Sequence, residues 1–255
     1  MKNALVIARR ELGSYFASPL FYVIATVFLG IQSFMSYNIL SFFSYQSFQE
    51  AQIQQMGLTL NVNEMVIEPS LINMGVILLL MSPLITMRSF SEEMRQKTFP
   101  LLLASPVHLW EIVAGKFIAC LGVLSVLVLA SSYFVGFILA VGSPEIGPIL
   151  TGYLGVLLMT GCYVAIGVFA SSLTDNQLVA AVITFGFVFL MWIIGWAAQS
   201  AGETAGEILD YLSLVNHLQN FTQGMIDTSD LTYYLSFIAF FLFLTYRVLE
   251  SRRWR

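Results

Sequence analysis

Charged side chains are scarce in this chain. Lys and Arg number 11 and Asp and Glu 15 among 255 residues, or 10%, where a soluble domain carries about 25%. Hydrophobic residues make up 58% and the mean hydropathy is +0.81, so too few polar side chains remain to cover a water-facing globule. The sparse bases exclude a nucleic-acid surface. Two cysteines exclude a disulfide-dense scaffold. No His, Cys and carboxylate cluster falls at metal-ligand spacing. Gly115-Lys116-Phe117 carries the glycine and lysine of a phosphate loop. Trp110 stands at its first glycine position, however, and Phe117 at its Ser/Thr position, so the chain does not bind ATP by that route. The two histidines, His108 and His217, lie in loops with no serine elbow beside them, which disfavours intramembrane hydrolysis.

What is present is length of apolar chain. A hydrocarbon core about 30 Å thick takes roughly 17–25 apolar residues as a helix. Uncharged runs of that kind fall at about Leu20–Leu40, Leu71–Met87, Phe117–Val141, Ile149–Ala170, Leu178–Ala198 and Leu231–Tyr246, the last reaching Leu249 if Arg247 snorkels. They are continuously apolar, not alternating, which predicts helices and not barrel strands. The expected fold is therefore an all-α integral membrane protein with six transmembrane helices, one domain over residues 1–255. None of the runs holds an ionisable residue in its interior, which disfavours a proton relay or ion-coupled carrier. Gln32, Asn38, Asn73, Thr86, Thr160 and Thr184 are read as hydrogen-bonding between helices.

Six spans put both termini on one side. All 11 basic residues fall on that side, which the positive-inside rule makes cytoplasmic. Met1–Ser18 reads as an amphipathic helix on the inner surface, with Lys2, Arg9 and Arg10 toward lipid headgroups, and not as a cleavable signal. The cytoplasmic segment Arg88–Lys116 starts with Ser89 or Ser91 as a candidate N-cap, followed by Glu92 and Glu93 and then Arg95 and Lys97, the order a helix dipole favours. Pro100 and Pro106 divide it into two short helices. Such a projection is either a docking knob for a soluble partner or a solvated loop. On the outer side Ser41–Ser70 carries no recognisable chemistry. In Gln199–Asp230 the residues Ile208, Leu209, Leu212, Val215, Leu218, Phe221 and Met225 recur at helical spacing, so amphipathic helices lie in the outer leaflet or cap the bundle.

Several of these stretches resemble one family. Arg10-Glu11-Leu-Gly-Ser-Tyr-Phe-Ala-Ser-Pro19 is similar to the amino-terminal segment of ABC-2 type exporter permeases. Ser91-Glu-Glu-Met-Arg-Gln-Lys-Thr98, Leu101-Leu-Leu-Ala-Ser-Pro106 and Glu111-Ile-Val-Ala-Gly-Lys116 look like their coupling loop between helices 2 and 3. Further matches are Ala165-Ile-Gly-Val-Phe-Ala-Ser-Ser-Leu-Thr-Asp-Asn-Gln177 and Gly224-Met-Ile-Asp227. The carboxyl-terminal Leu249-Glu-Ser-Arg-Arg-Trp254 resembles the gliding-motility branch. Pro100 departs from the pattern, standing where many relatives carry an acid.

The resemblance implies a multi-pass permease subunit of a bacterial inner (plasma) membrane, without its own ATPase activity. It would pair with a second copy through the first and fifth spans, at Gly30, Ser33, Gly186 and Gly195, while Gly161, Ala165, Gly167 and Ser171 of the fourth pack within one subunit. Two separate ABC ATPase subunits would bind ATP and Mg and contact Glu92, Glu93, Arg95, Thr98 and Pro106, with membrane lipid and an extracytoplasmic accessory protein as further partners. The implied activity is export of a substrate. The alternative is an ATPase-driven anchor or mechanical coupler for an envelope machine that transports nothing itself.

Overall fold

The computed structural model describes residues 2–48, 61–99, 107–142, 144–200 and 202–252. Among them no strand occurs, and six helical stretches are long and apolar enough to cross a membrane: Pro19–Ser47, Asn63–Arg95, Leu109–Val141, Ile146–Leu173, Gln177–Ala198 and Thr228–Arg252. Each of the six predicted runs falls inside one of them. The helical stretches extend beyond the runs, most of all in the second, because polar and charged residues such as Glu64, Glu68, Arg88 and Glu92 end an uncharged run without ending the helical stretch.

In chain order, α1 (Lys2–Ala17) gives way at Ser18 to α2 (Pro19–Phe48), with Pro19 at a first helical position that needs no N–H. A π-helical turn, Asn63–Ile67, leads into α3 (Glu68–Thr86), and the short α4 (Ser91–Arg95) follows. The third span is two helices, α5 (Leu109–Ala130) and α6 (Ser132–Val141). Their joint is Ser131, whose hydroxyl bonds back to Val128 O at 2.6 Å, a known cause of helix bending. Then come α7 (Ile146–Leu173), α8 (Gln177–Ser200), α9 (Glu203–Leu212), α10 (Leu214–Thr222) and α11 (Thr228–Arg252).

The helix α7 is the centre of the bundle and packs on α3, α5, α8, α10 and α11. It can do so because glycine and alanine keep its surface low, the device that lets helices approach closely where no hydrophobic effect drives them together. A Cβ on Gly155 would lie 2.7 Å from Phe221, and one on Gly167 would collide with Thr86. By contrast α2 and α8 leave Tyr22, Val23, Phe34, Leu178, Val182 and Leu190 exposed. The polar residues of the spans behave differently from the interhelical role predicted for them. Gln32 does reach Ser70 O on α3 at 3.3 Å. Asn38, Thr86, Thr160 and Thr184 instead bond the carbonyl four residues back, the nearest acceptor a helix offers.

Both termini lie at one end of the bundle. The Trp110 ring, at the start of α5, stacks on Tyr246 of α11 at 4.8 Å, and Arg252 donates to Leu173 O at 2.7 Å. At the opposite end α10 lays Leu218 and Phe221 against the bundle, so it caps, while Ile208 and Tyr211 of α9 stay exposed.

Candidate functional site

At the terminal end, α1 lies along α5. Ala4 and Ala8 face inward, and Gly115 makes the approach possible, since a Cβ there would sit 2.8 Å from Ala4 O. Arg9 and Arg10 are exposed on the side of α1 away from α5 contacts such as Ala4 and Ala8. One residue beyond Gly115, Lys116 is only 3% exposed. Burying an unpaired ammonium costs several kcal/mol. Here its three hydrogens have three acceptors: Ser89 O at 2.6 Å, Glu93 Oε1 at 2.9 Å and Glu11 Oε1 at 3.4 Å. The Phe90 ring lies 5.1 Å away and adds a cation–π contact. One cation thus joins α1, α4 and α5.

The electrostatics keep Glu11 ionised. Burial pushes its pKa up, but Lys116 and the Arg10 guanidinium at 2.9 Å together outweigh that and hold it below the ordinary value. This stabilisation is present above the unfolded-state pKa and is lost as pH falls through the lower folded value. Deeper along α1, the Tyr15 hydroxyl donates to Ile85 O at 2.9 Å, tying α1 to α3.

Contrary to expectation, neither Ser89 nor Ser91 caps the N-terminus of α4. Phe90 occupies the N-cap position. The Phe90 and Ser91 N–H groups donate instead to Ser171 Oγ on α7, at 2.9 and 3.0 Å, and that hydroxyl donates to Met87 O at 3.1 Å. The helix ends at Lys97, whose φ of 56° is left-handed, with Thr98 N bonding back to Glu93 O at 3.0 Å. Among the described residues of this loop α4 is the one complete helix, and the predicted second short helix falls on residues outside them. Residues from Leu109 onward belong to the spanning helix α5, and Pro100 and Pro106 lie outside the described residues.

The predicted contact residues therefore divide. Glu92 is half-exposed and pairs with Arg88 at 3.1 Å. Arg95 is exposed and makes no ion pair among the described residues; it lines a cleft of about 400 Å³ with Met87, Asp175, Asn176, Gln177 and Leu178. Thr98 closes the end of α4 through a 3.3 Å bond to Glu93 O. Glu93, unlike Glu92, turns inward to Lys116 and is 17% exposed. Lys116, Glu11 and Ser171 are the residues that sequence reasoning missed in this role. The available signal was a lysine directly after a glycine at the edge of an apolar run.

A second polar cluster sits at the opposite end. His217 Nδ1 meets Asp230 Oδ1 at 2.6 Å and Nε2 meets Tyr211 O at 2.8 Å, while Asn220 donates to Asp230 Oδ2 at 2.8 Å. The imidazole stacks on Tyr233 at 4.0 Å. Nearby a cleft of about 470 Å³ is lined by Asn61, Glu64, Glu68, Glu145 and Gln223 among others. No group of three or more His, Cys, Asp or Glu among the described residues could hold a metal ion.

These features, a bundle of six apolar helices with a charged helix clamped to one end, agree with comparison to known proteins. No curated protein matches the chain. The model of the ABC-2 family transporter protein matches residues 5–250. The chain therefore belongs to the ABC-2 transporter family, as a multi-pass membrane permease component of an ABC transporter, a family that works with ABC ATPase subunits.

Proposed function

We propose that this chain is half of the membrane part of an ATP-driven exporter, and that α4 is where two separate ATPase subunits, binding ATP and Mg, transmit their movement. The supporting observation is the construction of α4. Its inner side is fixed to the bundle by Lys116 and Ser171, and its outer side leaves Glu92 and Arg95 toward solvent. A helix held this way moves with the bundle when a partner pushes it. Closing of the ATPase pair on ATP would then open a path between two permease copies.

The second copy would meet α2 and α8, whose Gly30 and Gly186 have open space around them. Gly195 is not free for that role, since Ser213 and Asn216 of the same chain pack on it. Gly161 and Gly167 face Ile238 and Thr86 within the subunit, in keeping with an internal role for the fourth span. The terminal end carries Arg9, Arg10, Arg88, Arg95, Lys97, Lys116, Arg247 and Arg252, so we place it in the cytoplasm of a bacterial inner membrane. An impermeant maleimide should label Gly147→Cys in intact cells and leave Gln96→Cys unlabelled; the reverse pattern inverts the orientation.

The test of coupling uses the exposed pair. Glu92→Lys with Arg95→Glu should weaken retention of the ATPase that co-purifies with the wild-type chain at least tenfold, about 1.4 kcal/mol. Unchanged retention would remove α4 from the interface. The gliding-motility character of Leu249–Trp254 favours a second reading, in which the same device drives an extracytoplasmic accessory protein and moves no cargo. Reconstituted vesicles that hydrolyse ATP and export nothing would select it.

A further inference from the structure

Resting on that reading of α4, we infer that Lys116 is the positioning residue that carries α4 movement to the interfacial helix α1, through one ammonium shared between Glu93 and Glu11. The geometry has three parts. First, no ion pair joins α1 to α4 directly among the described residues; both reach Lys116 on α5, Glu11 at 3.4 Å and Glu93 at 2.9 Å. Second, the ammonium's three hydrogens are all engaged, yet one carboxylate oxygen, Glu93 Oε2, is buried with no hydrogen-bond partner among the described residues. Third, Glu11 has a substitute cation and Glu93 does not: Arg10 holds the same Glu11 Oε1 at 2.9 Å, while Glu93 pairs with Lys116 alone among the described residues.

The ammonium therefore has two arrangements of similar content. It can bridge both carboxylates, as observed. It can also give both oxygens of Glu93 its hydrogens and leave Glu11 to Arg10, which is 62% exposed and free to follow. A small displacement of α4 selects between them, because it changes the distance from Lys116 to Glu93 and leaves the α1–α5 contact at Gly115 in place. The output is a change in how the Glu11 turn of α1 is held at the membrane surface, with the rest of α1 still packed on α5. Buried charge contacts of this kind have discrete positions and switch between them.

Single neutralisations test this without leaving an unpaired buried lysine. Glu93→Gln keeps Lys116 on Glu11 and Ser89 O; Glu11→Gln keeps it on Glu93 and Ser89 O. The readout is maleimide labelling of Ser14→Cys, an exposed position on α1, in the permease–ATPase complex with and without ATP; both native cysteines are buried. In the wild-type background the labelling rate should change on ATP addition. Either Gln variant should abolish that change and lower stimulated ATP turnover at least tenfold, although the two lie on different helices, with the ATPase still retained on the permease. Lys116→Arg in the otherwise native chain keeps a cation between the two carboxylates and should retain both signals. A labelling change that persists in either Gln variant overturns the relay, as does no change in the wild-type complex. Failure of the wild-type chain to retain an ATPase would instead overturn the docking role of α4.

Discussion

Replacing Asp230 by alanine should destabilise the protein by about 3–5 kcal/mol, the cost of removing one partner from a buried pair. The side chain is 6% exposed and serves two groups at once. His217 sets both ring nitrogens against oxygen atoms, of the Asp230 carboxyl and the Tyr211 carbonyl, so the ring is engaged on both sides inside the bundle. Without Asp230, one nitrogen of His217 and the amide of Asn220 lose their partner inside a packed aromatic cluster. Melting in detergent should fall by on the order of 10 °C. Asp227→Ala is the control. Asp227 is exposed and its side chain accepts from Ser229 N at 2.9 Å, a cap worth about 1 kcal/mol. Equal losses from the two substitutions would show that the buried pair contributes nothing special.

The second large effect is expected at Gly167. A Cβ there would fall 2.5 Å from the Thr86 Cβ, so even alanine forces α3 and α7 apart where they support α4. Overpacking of this kind costs about 1–3 kcal/mol. The Thr86 hydroxyl would lie nearer still, but the Thr86 Cβ collides as well, and that dictates the form of rescue. Adding Thr86→Ala to Gly167→Ala should not restore the melting temperature, because the colliding atom remains; adding Thr86→Gly should. Rescue by Thr86→Ala would mean that the hydroxyl, not the backbone spacing, sets the limit.

These sites show why the bundle was more legible than its junctions. Six apolar runs announce six helices, since the bilayer demands length and hydropathy from each segment separately. Pairing between segments leaves no such trace. His217 and Asp230 lie on different helices, and periodicity within one helix says nothing about its neighbour. Lys116 at the edge of an apolar run reads as a snorkelling cation, and only the fold of α1 across Gly115 encloses it. In α4 the two acids are adjacent, so they point about 100° apart on the helix. Sequence shows that one must face differently from the other. The bundle decides that Glu93 turns in and Glu92 out.

The cap on α4 has a consequence for the order in which the molecule is built. Five residues are far too few to hold a helix alone, because the first turn must be fixed before any bond rewards it. The hydroxyl that receives its first N–H groups belongs to Ser171, 80 residues later than Ser91, near the end of the fourth span. During synthesis α4 therefore stays unformed until that span has been inserted and packed beside the second. A partner that recognised α4 as a helix would then recognise only permeases whose insertion has reached that stage, and its recruitment would report on biogenesis.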